Sequence, residues 1–260
     1  MSLTGFMQVD LLLDPFGARG VDIRDAARLA IDAGFAGIWT HDHLDGRVYD
    51  APYVLECWTV LSALADAAPG VMLGPLVLNV ANRHPGLLAA MAATLQEVSG
   101  GRVLLGIGAG GGADRRFALD QEAIGRAVAR DPARRSDVGA CIAEVRRHWR
   151  SPGFLEPDPH PPFVVGGFGP KMAELAVRVG DGFNTHAAHP HLQGLVARAR
   201  DAHARSARAP ERFLVTVLAD INDQTDVAGL ESIGVDRLIL SVSAPYDVQR
   251  IAETPRVLGM

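Results

Sequence analysis

Short apolar runs alternate with helical patterns along this chain, and residues 71–112 show the alternation most clearly. An apolar run over 71–80 leads into a polar turn, and a helical pattern over 87–98 follows. Small residues at 99–101 end that pattern, and a second apolar run over 103–107 leads into glycines. Strands that are apolar on both faces are typical of parallel sheets, because helices cover both sides. The segment therefore predicts a βαβ unit.

The same alternation extends over the whole chain and predicts eight strands. They are expected at residues 7–13, 37–40, 71–80, 103–107, 163–165, 182–185, 213–218 and 237–242. Helices are expected between Asp22 and Gly34, over 54–67, 87–98, 137–149, 171–179, 191–206 and 226–233, and from about Tyr246 onward. Asp22 is the expected N-cap of the first helix, and Gly34 is its expected C-terminal stop.

Eight strand–helix units in 260 residues predict an α/β fold, a (β/α)8 TIM barrel that forms a single domain over residues 1–260. A doubly wound open sheet is the alternative, but it rarely needs eight evenly spaced units. The least regular part is residues 109–162, which we name the excursion; it closes with a proline-rich loop at 156–162. Because it follows the carboxyl end of the fourth strand, we expect it to form a lid or a substrate wall.

Composition narrows the function classes. The net charge is −5 and the sequence contains no basic block, so nucleic acid is not an expected partner. No apolar run approaches the ~18 residues of a membrane span, and the first ten residues lack a signal-peptide pattern. The two cysteines, Cys57 and Cys141, lie in helical patterns. We therefore expect a cytoplasmic protein that does not bind membranes and keeps reduced thiols in its core.

Polar or glycine-rich positions follow most of the predicted strands. In a TIM barrel such positions converge on one mouth, where they are candidates for the chemistry. They are Asp14, His41, Asp42, His43, Asn79, Asn82, Arg83, His84, residues 109–114 and 166–169, His186 and His189.

Two glycine-rich loops, at 108–112 and 166–170, are candidate binding sites. The first leaves bare backbone where a flat ring or a phosphate can approach closely. In the second, Pro170 is expected in the first turn of a helix whose free N–H groups can face an anion. The alternative interpretation is that these glycines serve tight turns alone. Neither loop has the spacing of a Rossmann fingerprint.

The run His41-Asp42-His43 has three interpretations. The simplest is a polar loop with one capping carboxylate. The second is a metal site, because two histidines at a strand end match the ligands of some barrel hydrolases. The third makes His43 a proton-handling group beside an organic cofactor, since an imidazole titrates near neutral pH.

Several stretches, in this order, carry a resemblance to a known family. They read AGFAGIWTHDHL at 33–44, LGPLVLN at 73–79, SGGRVLLGIGAG at 99–110, VGG at 165–167 and GDGFN at 180–184. Together they resemble the bacterial-luciferase-like oxidoreductases, and within them the deazaflavin branch that uses coenzyme F420. The resemblance covers about residues 25–187, and the remainder fits only as generic barrel.

The resemblance implies a flavin-type ring in the barrel mouth, with a non-proline cis peptide bond at Leu76–Val77 behind the ring. The cofactor-binding residues that it implies are Leu76, Val77, Ala109, Gly110, Gly166, Gly167, Gly169, Thr185 and His186. Its implied catalytic residues are His43, which would position the substrate or shuttle a proton, and Asp42. Asp42 would orient His43 or accept a hydrogen bond from the ring.

The implied function is oxidoreductase activity, with F420-dependent hydride transfer to or from a small organic substrate and no metal. A homodimer is the expected assembly. The alternative is an FMN-dependent monooxygenase that works with a separate flavin reductase. A non-catalytic cofactor-binding homologue and a metal-dependent barrel hydrolase are further alternatives.

Some positions depart from the sugar-phosphate dehydrogenases of this branch. Gly111 and Gly112 stand where those enzymes carry a carboxylate, and Arg47 stands where they carry a tryptophan. An insertion common near the seventh strand is also missing. That specific activity is therefore not expected, and the pocket is expected to be open or completed by a second subunit.

Overall fold

A computed structural model describes residues 7–113, 115–208 and 212–258; Asp114, one of the predicted loop candidates, lies outside them. Within these ranges nine strands pair in parallel in one sheet. They are β1 (Gln8–Leu13), β2 (Gly37–Thr40), β3 (Met72–Pro75), β4 (Leu78–Asn79), β5 (Leu105–Gly108), β6 (Phe163–Gly166), β7 (Gly182–His186), β8 (Leu214–Asp220) and β9 (Arg237–Val242).

Helices alternate with these strands. They are α1 (Gly20–Ala33), α2 (Cys57–Ala67), α3 (Pro85–Val98), α4 (Ala118–Ala123), α5 (Asp131–Trp149), α6 (Pro170–Val179), α7 (Leu192–Ala204), α8 (Val227–Ser232) and α9 (Val248–Val257), with a short 3-10 helix at Gly46–Tyr49. Across the part of the chain that is described, no helix combines the length and the apolar character needed to cross a membrane.

The sheet closes on itself through its third predicted strand. Strand order runs β3-β2-β1-β9-β8-β7-β6-β5-β4, so the two ends of the sheet, β3 and β4, are successive pieces of one chain segment. The N–H of Leu73 donates to the carbonyl of Arg102 at 2.7 Å, and the N–H of Leu104 donates to the carbonyl of Leu73 at 2.8 Å. This confirms the predicted TIM barrel and corrects the expected single strand over 71–80, which is interrupted at 76–77.

Two apolar layers stabilise the barrel. The larger lies between the helices and the outer face of the sheet. The smaller fills the interior with the side chains of Leu12, Trp39, Leu76, Leu104, Val164, Leu214 and Ile239. Below them, at the amino ends of the strands, Asp10 accepts hydrogen bonds from Arg237 at 2.6 and 2.7 Å and from Trp39 at 2.8 Å. The barrel is therefore packed at this end, and space remains at the carboxyl end.

Three helix starts differ from the sequence prediction for local reasons. Helix α1 begins at Gly20, so Asp22 lies in its first turn and is not the N-cap. Helix α2 begins at Cys57 because Glu56 caps it, accepting hydrogen bonds from the N–H groups of Trp58 and Thr59. Helix α5 starts at Asp131, with a proline in its first turn, six residues before the predicted 137.

The C-terminal end of α1 and the two cysteines match their predictions. Gly34 terminates α1 with φ +103°, a left-handed conformation that glycine adopts without steric cost. Cys57 and Cys141 are buried and not disulfide-bonded. Burial raises the pKa of the Cys57 thiol well above its usual range and that of Cys141 to about 11. Both thiols are therefore protonated core groups.

Candidate active site

A cavity of about 720 Å³ opens at the carboxyl ends of the strands. Ten of the predicted site residues line it: Asp42, His43, Leu76, Val77, Ala109, Gly110, Gly166, Gly167, Thr185 and His186. Gly169 does not line the cavity, because it lies one step further along the chain as the N-cap of α6. The structure thus brings almost all of these residues around one space, and their individual roles stay predictions.

The Leu76–Val77 peptide bond between β3 and β4 is cis, which confirms that prediction. The side chain of Val77 faces two glycines. A Cβ atom added to Gly108 would lie 2.7 Å from Val77 Cγ2, and one added to Gly166 would lie 2.9 Å from Val77 Cγ1. Glycine is needed at 108 and 166 because a valine side chain fills the space. Packing of Val77 is thus a reason for these two glycines that the sequence did not indicate, and their contact with a ligand stays a prediction.

The neighbouring glycines also make room for side chains of the protein. Gly110 has φ +65°, and a Cβ atom there would lie 2.5 Å from the Asn79 side chain. At Gly111 it would meet Phe117, and at Gly167 it would meet Met172. Among these loop glycines Gly169 differs, since no described atom lies within 4 Å of its added Cβ. Close packing within the protein therefore accounts for most of the two glycine-rich loops.

Asp42 is part of a buried ion pair. Its two carboxylate oxygens accept hydrogen bonds from the guanidinium of Arg83 at 2.7 and 2.8 Å and from the N–H of Asn79 at 3.1 Å. Arg83 also donates to Glu56 at 2.7 Å. Burial alone would lower the pKa of Arg83, but the hydrogen bonds to Asp42 and Glu56 outweigh it and raise that pKa. His43 Nδ1 contacts Asp120 and not Asp42, so no described contact supports the orienting role of Asp42, and its hydrogen bond to the cofactor ring stays a prediction.

Asp120 orients His43 instead. It lies on α4, in the excursion, and one of its oxygens is 2.6 Å from His43 Nδ1. Its other oxygen accepts hydrogen bonds from the N–H groups of Leu44 and Asp45 at 2.8 and 3.2 Å. An ionised carboxylate only accepts, so His43 Nδ1 carries a proton. The Asp120 carboxylate therefore fixes the orientation of the His43 ring.

Sequence reasoning missed Asp120 and the aromatic side chains around His43. The rings of Phe16, Tyr49 and Phe117 have centroids 5.3, 5.8 and 5.6 Å from that of His43. Burial raises the pKa of Tyr49, so its phenol stays neutral near pH 7. These residues come from three distant segments, and no local spacing marks them as one group. Together they form an apolar wall that shields His43 on one side.

His41 belongs to the histidine pair that matches a metal site in sequence, and the structure gives it a different environment. Its Nδ1 is 2.8 Å from the carbonyl oxygen of Leu76, and its ring centroid is 6.1 Å from that of His43. Burial lowers the pKa of His41 below its ordinary value. Among the described residues, no group of three or more His, Cys, Asp or Glu side chains is arranged to hold a metal ion.

The opposite side of the cavity offers groups that suit an anion. Thr185 Oγ1 is buried and has no hydrogen-bond partner within the described residues. Helix α6, which follows the neighbouring strand β6, begins at Pro170; its N-cap Gly169 supplies no side-chain cap, and Met172 is the residue of its first turn that lines the cavity. The first N–H groups of a helix bind phosphates and carboxylates well. Burial, together with His189, lowers the pKa of His186, which favours its neutral form there.

One family model and several curated proteins match this chain. The family model described as luciferase-like monooxygenase matches residues 15–222. A 5,10-methylenetetrahydromethanopterin reductase of Archaeoglobus fulgidus is 31% identical over 63% of this chain and 48% of its own length. An F420-dependent glucose-6-phosphate dehydrogenase of Microbacterium testaceum is 25% identical over 84% of this chain and 62% of its own. The chain thus spans about half to two thirds of the length of these curated relatives.

The fold also matches a solved structure. An F420-dependent secondary alcohol dehydrogenase, in complex with an F420-acetone adduct, superimposes with a TM-score of 0.79. The match covers 96% of this chain and 97% of the other chain, at 17% identity. At that identity the likeness shows a shared fold alone.

Proposed function

This chain belongs to the luciferase-like monooxygenase family, and from that premise we propose that it is a coenzyme F420-dependent oxidoreductase. In this proposal it transfers a hydride to or from a small organic substrate. The names of two curated relatives support the cofactor, since the F420-dependent glucose-6-phosphate dehydrogenases that align over 84% and 90% of this chain are named for it. Other relatives are named 5,10-methylenetetrahydromethanopterin reductases, so the substrate is not carried over from any of them.

The observation that carries the proposal is one cavity with two chemically different sides. On one side the Asp120 carboxylate holds His43, and on the other lies the unpartnered hydroxyl of Thr185, with Met172 from the first turn of α6 also lining the cavity. A volume of about 720 Å³ is within the usual range for cofactor and substrate sites. F420 has a planar deazaflavin ring and a phosphate-bearing tail, so these two sides fit its two parts.

The residues that would hold the cofactor follow from this fit. Val77 and the backbone at Ala109 and Gly110 would contact the ring, and Thr185 with the first turn of α6 would receive the phosphate. When bound, F420 supplies the carbon atom that donates or accepts the hydride. The protein's part is to position the reactants and to control charge near them.

His43 is the residue proposed to handle a proton. With Nδ1 bonded to Asp120, its Nε2 is left for the cavity, where an imidazole nitrogen can take up or release a proton. Phe16, Tyr49 and Phe117 pack around the ring on one side. Asp42 has a structural role, because Arg83 neutralises it.

We also propose that the enzyme is a cytoplasmic homodimer, as the family resemblance implies. Light scattering of the purified protein tests the assembly. A monomer across the working concentration range would contradict that part of the proposal and leave the cofactor assignment unaffected.

Equilibrium titration with F420 and with FMN tests the proposed cofactor. We expect F420 to bind in the micromolar range and FMN to bind at least about tenfold more weakly, a difference of about 1.4 kcal/mol. Tighter binding of FMN would favour the monooxygenase alternative, whose flavin would come from a separate reductase. Binding of neither cofactor would contradict the proposal and favour a non-enzymatic role.

A further inference from the structure

We propose that His41 is a specificity-determining residue that selects substrates bearing a hydroxyl group, by accepting a hydrogen bond at its Nε2 atom. The inference deepens the proposed function and rests on it, because it takes the cavity as the place where the substrate meets the cofactor. Four steps support it: the fixed tautomer of His41, its charge state, its free nitrogen and its position beside His43.

The Leu76 carbonyl fixes the tautomer of His41. A carbonyl oxygen only accepts hydrogen bonds, so the contact of 2.8 Å requires a proton on His41 Nδ1. In a neutral imidazole the other nitrogen, Nε2, is then an acceptor with no proton of its own. The backbone of the β3–β4 link, and not a side chain, therefore sets which nitrogen of His41 can receive a donor.

The surroundings of His41 keep its ring neutral. Burial has the largest effect and lowers its pKa; Asp14 and the Leu76 carbonyl act in the opposite direction, and His43 and His186 add to the lowering. The phenol of Tyr49, stacked at a centroid distance of 6.3 Å and 19° between ring planes, carries no charge near pH 7. Near pH 7 the acceptor form of His41 is therefore the populated one.

The acceptor nitrogen is available to a ligand. His41 lines the cavity, and no described residue bonds to its Nε2. A nitrogen that accepts inside a cavity favours ligands that bring a donor, because a ligand without one leaves the nitrogen unpaired and removes it from water.

The position of His41 and its need for a donor favour a hydroxyl. The ring centroids of His41 and His43 are 6.1 Å apart, so a group bound at His41 lies beside the proposed proton-handling residue. A hydroxyl can donate to His41 Nε2, whereas a carbonyl or an ether oxygen can only accept. His41 therefore favours an alcohol over the corresponding ketone.

Nitrogen-15 NMR of the wild-type protein without cofactor tests the tautomer directly. We expect His41 to show a protonated Nδ1 and an unprotonated Nε2 at pH 7, and to titrate below pH 6.5, with the His41→Asn variant identifying its signals. A ring that is doubly protonated at pH 7, or protonated at Nε2 alone, would overturn the inference.

Adding small alcohols and a matched ketone to the same sample tests whether His41 selects a hydroxyl group. Cyclohexanol, 2-propanol and benzyl alcohol are the donors, and cyclohexanone is the matched acceptor. We expect an alcohol to shift the His41 Nε2 signal, the effect to disappear as the pH falls and His41 becomes protonated, and the ketone to leave it unchanged. An equal response to the ketone, or no response to any of the alcohols, would contradict the role.

Two variants separate selection from a purely structural role. In His41→Asn the amide NH₂ can still donate to the Leu76 carbonyl but nothing replaces Nε2, whereas in His41→Gln an amide oxygen reaches about the place of Nε2. We expect the ratio of the binding affinities for cyclohexanol and cyclohexanone to fall about five- to tenfold in His41→Asn. The same ratio should be largely kept in His41→Gln. The reverse order would assign His41 a structural role.

The F420 titration distinguishes a failure of this inference from a failure of the proposed function. If wild-type protein binds no F420 but His41 has the expected tautomer and alcohol response, the proposed function fails and the acceptor site stands. If F420 binds and the tautomer or the alcohol response is wrong, the inference about His41 fails alone.

Discussion

Two buried carboxylates, Asp42 and Asp120, lie beside the cavity and have different tasks. Asp42 is neutralised by Arg83, which holds both of its oxygens. Asp120 accepts two backbone N–H groups and contacts His43, a group that can gain or lose a proton. These different partners are the reason why we propose a structural role for Asp42 and a supporting role in catalysis for Asp120.

The Asp42–Arg83 pair predicts a large loss of stability when it is broken. In Arg83→Met the carboxylate of Asp42 stays buried without its cation, which typically costs about 3–5 kcal/mol. Arg28→Met is the matched control, because Arg28 and its partner Asp25 are exposed and such pairs contribute about 0–1 kcal/mol. Chemical denaturation of both variants measures the difference. Equal stability of the two would contradict the structural role of the pair.

Substitutions of His43 and of its partner Asp120 are expected to lower activity to different degrees. We expect His43→Ala to lower turnover about 100-fold or more. In Asp120→Asn the new NH₂ group faces the Nδ1–H of His43, which disfavours the present tautomer, and we expect about a tenfold or greater fall in kcat. Asp247→Asn, which removes a charge from the cap of α9, is the control.

Measurements of F420 affinity and melting temperature distinguish a positioning role of Asp120 from a general loss of the fold. Asp120→Asn can still accept hydrogen bonds from Leu44 and Asp45 through its amide oxygen. We therefore expect its F420 affinity and melting temperature to stay close to those of the wild type while kcat falls. Parallel losses of affinity and stability would show that Asp120 merely holds the fold together.

The excursion is the element that completes the site. Its α4 supplies Asp120, and Arg134 of α5 donates to the carbonyl oxygens of Ala109 and Gly110. Phe117, just before α4, stacks on His43 with 22° between the ring planes. The predicted substrate wall is thus packed against the ends of β2 and β5, with α4 as a helix that the sequence pattern did not indicate.

Replacing a glycine at the end of β5 or β6 is expected to create a clash with Val77 and to lower stability. In Gly108→Ala the added Cβ would lie 2.7 Å from Val77 Cγ2, and overpacking of this kind costs about 1–3 kcal/mol. Adding Val77→Ala should recover part of that loss, because it removes the clashing methyl groups. Gly194→Ala, with no described atom within 4 Å of its Cβ, is the control. Thermal unfolding measures all four proteins.

Local sequence pattern predicted the strands well and the helix starts less well. The bounds of β2 and β9 agree with the prediction, because buried apolar runs between turn residues mark them clearly. The start of α2 was misplaced because Glu56, which is not among the usual N-cap residues, caps it. Apolar periodicity alone carries no information about such a cap.

At the scale of the whole molecule, the barrel is closed at one end and open at the other. Asp10 and Arg237 pair at the amino ends of the strands, and the cavity lies at the carboxyl ends. Barrel enzymes place their chemistry at the carboxyl ends. The alternation of strands and helices was enough to predict both the barrel and the side on which the site lies.

The contacts that define the site could not be predicted from the sequence. His43 and Asp120 are 77 positions apart, and Asp42 and Arg83 are 41 apart. Three further carboxylates, at positions 114, 122 and 131, occur near Asp120 in the sequence, and nothing local marks it as the partner of His43. Only the folded barrel brings these side chains together, so the sequence placed the residues at the mouth and left their pairing open.

A crystal structure of the protein with F420 tests the central claim most directly. The proposal predicts the deazaflavin ring in the cavity, in contact with Val77 and beside His43, with the phosphate bonded to Thr185 and the start of α6. Clear density for the cofactor elsewhere on the protein, or a cavity that stays empty at a saturating concentration of F420, would contradict it.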